Sequence, residues 1–177
     1  LQGMFAFAFY DHRSGEVLLA RDQYGEKPLY YAERDGATIF SSELPSLLES
    51  GLVERRIDPE AAEEYLHYGF VPGPRTLIRG VIQLPPGHRM IVGQPPEQIP
   101  EPDDAVRYHA DDDAGWIAAG RDVFLGAVKR QMISDVPIGA FLSGGVDSTL
   151  VVAAMQQESS RPVRTFTVRF PTAAYDE

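Results

Sequence analysis

The segment Ser143-Gly144-Gly145-Val146-Asp147-Ser148 constrains this chain more than any other. It follows a short apolar run, Ile138 to Leu142, which reads as a buried strand. It precedes Thr149 to Gln157, which reads as an apolar helix, and a β-branched run from Val163 to Phe170 reads as a second strand. Two strands joined by a helical crossover run the same way, so this order implies a parallel sheet. Ligands of parallel α/β sheets bind at the carboxyl ends of the strands, and the hexapeptide falls there.

The residue types suit an anion. Two glycines let the backbone approach a ligand closely and adopt φ values that side chains resist. Their N–H groups, with the free N–H groups and positive dipole end of the next helix, form a cradle for phosphate oxygens. The Ser143 and Ser148 hydroxyls add donors. Asp147 repels a bare phosphate, so its presence implies a metal ion nearby, with magnesium the expected one. The loop has no lysine and is not a Walker A sequence, and it lacks the third glycine of the dinucleotide fingerprint. The glycines alone equally suit a tight strand-to-helix turn. The complete hexapeptide in a β-α-β setting favours the phosphate reading.

Charge and composition narrow the classes. Twenty-six acids against 16 bases give a net charge of −10, which argues against a nucleic-acid partner. Cysteine is absent, so this chain supplies no disulfide, thiolate ligand or cysteine nucleophile. No apolar run approaches the roughly 20 residues that cross a membrane, and a cytoplasmic setting is the default expectation. His12, His67, His88 and His109 lack metal-ligand spacing and read as surface or loop residues.

The front part reads differently. Met4 to Tyr10 alternates, with Phe5, Phe7 and Phe9 on one face, and both faces are apolar, so it is expected to be a strand buried on two sides. Asp11 to Gly15 is a hairpin loop and Glu16 to Ala20 the return strand. Leu29 to Glu33 and Ala37 to Ser41 form a second hairpin about Asp35-Gly36. Ser42 is expected to cap a helix over Glu43 to Ser50. Asp58-Pro59 starts a helix that stops at Gly69. Leu84-Pro85-Pro86-Gly87 turns into a last strand, His88 to Val92. Four prolines (Pro95, Pro96, Pro100, Pro102) and a cluster of acids then mark a linker over residues 94–113. Asp111-Asp112-Asp113 reads as its solvated end and a helix N-cap. Ala114 to Met132 has helical spacing, with Ile117, Val123, Phe124, Ala127, Val128 and Met132 on one broad stripe. A chain that opens directly on a strand and closes after one β-α-β unit reads as cut at both ends.

The hexapeptide resembles the pyrophosphate loop of the ATP pyrophosphatase superfamily. Upstream, Leu1-Gln2-Gly3-Met4-Phe5-Ala6-Phe7-Ala8-Phe9-Tyr10-Asp11 and Arg21-Asp22-Gln23-Tyr24-Gly25-Glu26-Lys27-Pro28-Leu29-Tyr30-Tyr31 resemble the class II glutamine amidotransferase domain of asparagine synthetases. Ser42-Glu43, Leu84-Pro85-Pro86-Gly87 and Ser134-Asp135-Val136-Pro137-Ile138-Gly139 continue the likeness, which covers nearly the whole chain. It implies an α/β protein with an α+β front part: the back half of an Ntn-type α/β/β/α amidotransferase domain over residues 1–93, the linker, and the start of a parallel-sheet α/β synthetase domain over residues 114–177.

The resemblance implies ATP and Mg2+ at the loop, with Ser143, Gly144, Gly145, Asp147 and Ser148 against the pyrophosphate and Leu142 and Val168 against the adenosine. Val168 serves equally as a core strand residue. Asp147 is the implied magnesium contact. Glutamine, aspartate and ATP are the implied small-molecule substrates, and a homodimer the implied full-length assembly. The glutamine-cleaving cysteine of such enzymes is implied to lie upstream of Leu1, and a further ATP-contacting motif downstream of Glu177. The isolated segment is therefore expected to be inactive and poorly soluble. Arg21, Asp22 and Gly25 are expected to form an ion-paired loop that supports the sheet rather than a glutamine contact. β-Lactam synthetases, lasso-peptide cyclases, exopolysaccharide-cluster amidotransferases and a non-catalytic nucleotide-binding relative remain open alternatives.

Overall fold

A computed structural model describes residues 1–100 and 112–169. The chain divides into two compact units, Leu1–Asp103 and Asp104–Glu177.

The first unit holds two antiparallel sheets. β1 (Ala6–Tyr10), β2 (Val17–Arg21), β6 (His88–Ile91) and β7 (Glu97–Gln98) form one, in the order β1-β2-β6-β7. β3 (Tyr30–Arg34), β4 (Ala37–Ser41) and β5 (Val81–Gln83) form the other, in the order β4-β3-β5. Leu19 of β2 and Met90 of β6 pack with Tyr31 of β3, Leu29 and Leu84, so the sheets lie face to face. The opposite face of the second sheet, through Ala32 and Val81, buries Leu47 of α1 (Leu44–Glu49) and Val53. The layers are therefore sheet, sheet, helix. Asp35 and Gly36 both take positive φ, 52° and 78°, as a two-residue hairpin turn requires.

α2 (Pro59–Tyr68) has the termini its sequence specifies. The Asp58 carboxylate accepts from the N–H groups of Glu60 and Ala61, and Gly69 closes the helix at φ 78°. α1 departs from expectation. Glu43, not Ser42, is its N-cap and gives no side-chain cap, while the Ser41 hydroxyl accepts from the Glu43 N–H. Ser42 lies one residue too early to reach the first turn.

β1 is not buried on two sides. Phe9 on its outer face is 57% exposed, because no element among the described residues covers that face of the first sheet. β7 lies inside the span that composition assigns to a linker. It pairs with β6 through His88 opposite Gln98 and Arg89 opposite Glu97, and the Ile99 N–H donates to the Gly87 carbonyl. Pro95 and Pro96 precede the paired residues, so they turn the chain without removing a ladder donor.

The second unit runs α3 (Asp113–Gln131), β8 (Gly139–Phe141), α4 (Val146–Glu158) and β9 (Arg164–Phe166). β8 and β9 pair in parallel, Phe141 opposite Phe166, around the α4 crossover. The Asp112 carboxylate caps α3 at the Gly115 N–H; Asp111, His109, Pro102 and Phe170 lie outside the described residues. Val128 of α3 packs on Ala154 and Met155 of α4, with Leu125, Met132, Ala140 and Val163 beside them. Only part of the expected α3 stripe is used, and Ile117 is exposed.

β8 is three residues long and not the buried strand expected. Ala140 faces the helices, whereas Phe141 is 74% exposed beside Phe166. Two helices cover one face of this two-stranded sheet, and no described element covers the other. β9 likewise ends at Phe166 rather than continuing to Phe170.

Candidate nucleotide-phosphate site

The hexapeptide joins the carboxyl end of β8 to α4. The junction is held on both sides: the Leu142 N–H donates to the Phe166 carbonyl at 2.9 Å, and the Thr167 hydroxyl donates to the Leu142 carbonyl at 2.7 Å. Gly144 then takes φ 99°, in the left-handed region that favours glycine. Gly145 follows at φ −69° as the N-cap of α4.

α4 begins at Val146 rather than Thr149, so Val146, Asp147 and Ser148 form its first turn. The first intrahelical bond runs from the Thr149 N–H to the Gly145 carbonyl at 3.2 Å. The N–H groups of Val146, Asp147 and Ser148 precede it and have no intrahelical acceptor. Gly145 gives no side-chain cap to take their place.

The hydroxyls are ordered around this opening. Ser143 Oγ and Ser148 Oγ lie 3.2 Å apart, and Ser143 Oγ accepts from the Gly145 N–H at 3.3 Å. The Ser148 and Thr149 hydroxyls both donate to the Gly145 carbonyl, at 3.1 and 2.8 Å. Ser143, Asp147 and Thr149 are exposed, and Leu142 and Ser148 half-buried. Exposed donors around a glycine turn and a helix N-terminus form a nest for an anion.

Among the described residues, no three His, Asp or Glu side chains gather as a metal cage. Magnesium bound with a nucleotide takes one or two carboxylates and completes its shell with phosphate oxygens and water. The single Asp147 carboxylate in the first turn fits that donor set.

A second glycine-bearing loop, residues 21–28, has the opposite character. Arg21 and Asp22 are 5% and 1% exposed. The Arg21 guanidinium donates to the carbonyls of Lys27, Leu84 and Gly25 at 2.8, 2.6 and 2.7 Å. The Asp22 carboxylate accepts from the N–H groups of Phe5, Tyr24, Glu26 and Lys27. Desolvation alone raises the Asp22 pKa, but the four N–H donors together outweigh it and hold the carboxyl below its ordinary value. Burial lowers the Arg21 pKa. The loop is thus built on backbone hydrogen bonds rather than on the ion pair expected. All three nitrogens of the Arg21 guanidinium donate within the fold, and its role is structural. Gly25, at φ 66°, has room for no Cβ: one would lie 2.8 Å from Arg21 Nη2 and 2.9 Å from Pro86 Cγ.

The first unit also contains a hollow of about 320 Å³ bordered by Tyr31, Glu33, Ile82, Met90, Pro95 and Pro96. Glu33 is its sole carboxylate, so it offers no acid–base pair.

Sequence comparison decides what this arrangement belongs to. Residues 1–100 match the family described as glutamine amidotransferase domain, and residues 119–177 match asparagine synthase. The chain belongs to the glutamine-hydrolysing asparagine synthetase family. It is 34% identical to a putative asparagine synthetase [glutamine-hydrolyzing] 2 of Methanocaldococcus jannaschii over 99% of its own length and 35% of the relative's. It is 32% identical to asparagine synthetase [glutamine-hydrolyzing] 1 of Bacillus subtilis over its full length and 28% of the relative. It is also 34% identical to amidase chyE of Penicillium rubens, over 85% of this chain and 23% of that protein. The chain thus spans about a third or less of these curated relatives.

Within this family member, the structure gathers Leu142, Ser143, Gly144, Gly145, Asp147 and Ser148 into one junction. Val168 stands two residues beyond β9, 65% exposed rather than in a core. Sequence reasoning passed over Thr149 and Thr167. Both are β-branched hydroxyl residues whose bonds to carbonyls fix the junction, and Thr149 directly follows the hexapeptide. Of the histidines, His67 lies in α2 and His88 in β6, where Nδ1 is 2.8 Å from the Pro86 carbonyl oxygen. No described helix is long and apolar enough to cross a membrane.

Proposed function

We propose that this chain is part of an ATP- and glutamine-dependent amide-forming carbon–nitrogen ligase, and that its loop holds the pyrophosphate end of ATP. The observation that carries the reading is the order of the two family matches, amidotransferase then synthase, with the Ser143–Ser148 nest at the carboxyl end of a parallel strand pair.

In this reading the free N–H groups of α4's first turn and the Ser143 and Ser148 hydroxyls bind the β- and γ-phosphoryl oxygens. Charge that develops on the leaving pyrophosphate is stabilised there. A substrate carboxylate oxygen attacks the α-phosphorus, pyrophosphate leaves, and an acyl-adenylate forms. Ammonia released from glutamine then attacks the acyl carbon, and AMP departs with the bonding pair. Asp147 would hold magnesium, which would supply charge neutralisation to the phosphates. Leu142 and Val168 lie against the adenosine. L-Aspartate is the acceptor that the relatives' names favour, giving L-asparagine, L-glutamate, AMP and pyrophosphate. We place the reaction in the cytoplasm, in a protein that works as a homodimer.

The likeness to an amidase favours a second reading, in which the same adenylation serves a different carboxylic acid. The test is product analysis of the intact protein supplied with ATP, magnesium, glutamine and aspartate. Asparagine, glutamate and AMP in equal amounts support the first reading. AMP formation only with another carboxylic acid supports the second. No AMP with any carboxylic acid contradicts both.

A further inference from the structure

The Gly145 carbonyl meets more donors than it can hold. Three reach it: the Thr149 N–H at 3.2 Å, the Thr149 hydroxyl at 2.8 Å and the Ser148 hydroxyl at 3.1 Å. A carbonyl oxygen carries two lone pairs. The N–H is fixed by the helix, so the two hydroxyls compete for what remains, and Thr149 holds the shorter bond. Ser148 Oγ also lies 3.2 Å from Ser143 Oγ, which accepts from the Gly145 N–H at 3.3 Å. While Ser148 donates to the carbonyl, Ser143 is left to donate to Ser148. The bonds then close a ring that starts at the Gly145 N–H and ends at the Gly145 carbonyl. Both serine protons are spent inside that ring, and a phosphate oxygen obtains one only when the ring opens.

We infer that Thr149 is a positioning residue: by giving the Gly145 carbonyl a hydroxyl of its own, it makes the Ser148 hydroxyl surplus there and frees it to turn onto a phosphate oxygen. Opening the ring leaves the carbonyl with the Thr149 N–H and the Thr149 hydroxyl, one for each lone pair, so no acceptor is stranded. Without the threonine hydroxyl the carbonyl retains the Ser148 proton, and a ligand must break that bond to obtain it. A hydroxyl bonded to the carbonyl four residues back is common in helices. Here a second hydroxyl shares the same carbonyl in the turn that opens the nest, and that sharing gives Thr149 its role. Thr149 acts through Ser148 rather than on the nucleotide. The inference rests on the nucleotide reading of the loop.

A double-mutant cycle in ATP–pyrophosphate exchange, on the intact protein, tests it. Ser148→Ala removes the hydroxyl that turns and is expected to lower kcat/KM for ATP about tenfold. Thr149→Val keeps the β-branched shape, removes the competing hydroxyl and is expected to lower it about fivefold. The double variant is expected to match Ser148→Ala alone, because with no hydroxyl at 148 there is nothing for Thr149 to release. Thr149→Ser keeps the hydroxyl and is expected to behave as wild type. Losses that multiply to about fiftyfold in the double variant would overturn the inference. So would wild-type kinetics in Ser148→Ala or Thr149→Val, or an equal loss in Thr149→Ser. Should valine unfold α4, as its amide hydrogen exchange would reveal, Thr149→Ala removes the same hydroxyl and carries the same expectation. Asp147→Ala separates the two levels. If that variant retains full exchange, the nucleotide reading fails and this inference with it; if it loses exchange while the losses at 148 and 149 multiply, this inference alone fails.

Discussion

The two glycine loops of this chain look alike in sequence and differ in what they leave unpaired. Residues 21–28 carry an arginine, an aspartate and a positive-φ glycine, and so does much catalytic machinery. Yet three carbonyls take the Arg21 guanidinium and four N–H groups take the Asp22 carboxylate, all within the fold. Residues 142–149 carry two glycines and an aspartate too, but their carboxylate is exposed and three helix-start N–H groups have no intrahelical acceptor. Residue type does not separate a scaffold from a site here. Hydrogen-bond satisfaction does: a loop whose polar groups are spent internally has nothing left for a ligand.

Substitutions at the two aspartates sharpen the contrast most. Asp22→Ala strands four N–H donors near the core and is expected to cost about 3 kcal/mol or more. Native-state exchange of the Leu19 and Met90 amides reads that loss. Asp147→Ala is expected to leave α4 protection within about 0.5 kcal/mol, as exposed substitutions do, while depressing pyrophosphate exchange about a hundredfold. A large stability loss at Asp147, or none at Asp22, would break the comparison.

The glycines give the next largest effect. Gly25→Ala meets both a positive φ and the Arg21 and Pro86 side chains, so about 2 kcal/mol of local stability is expected to go. At Gly145 an added Cβ meets only Ser143 Oγ at 3.4 Å, with φ at −69°. Gly145→Ala is therefore expected to cost only about 0.5 kcal/mol, the difference between glycine and alanine at an N-cap.

Acid titration is the mildest probe. The Asp22 pKa is depressed in the fold from its ordinary 3.8. A depressed carboxylate contributes stability that is complete above its unfolded pKa and drains away as pH falls through the folded one. The stability gap between wild type and Asp22→Asn is therefore expected to be constant from pH 7 to about 5 and to shrink below about pH 4. A gap that widens on acidification would contradict the hydrogen-bonding account.

Local signals made much of the fold legible. Asp58-Pro59 and Gly69 bracket α2 because capping chemistry is written in adjacent residues. Asp35-Gly36 marks its hairpin for the same reason. The β-α-β order was readable from Ile138 onward, and the hexapeptide named the junction. What sequence did not show depends on contacts across the chain. β7 pairs with β6 despite its proline neighbours, since a two-residue edge strand needs no periodic pattern. The burial expected of Met4–Tyr10 and Ile138–Leu142 followed from apolarity, which states what a residue prefers and not what covers it. The start of α4 at Val146 was hidden because Val, Asp and Ser are weak helix formers; the helix begins there because Gly144 turns the chain so that the Gly145 carbonyl meets the Thr149 N–H. Thr167 gave no signal, since its bond spans 25 residues.

The central claim is that the Ser143–Ser148 junction binds the pyrophosphate of ATP. It is tested most directly by ATP–pyrophosphate exchange in the intact protein, comparing wild type with Asp147→Ala. The account expects carboxylate-dependent exchange in the wild type and about a hundredfold less in the variant, with α4 equally protected in both. Equal exchange rates in two folded proteins would contradict it.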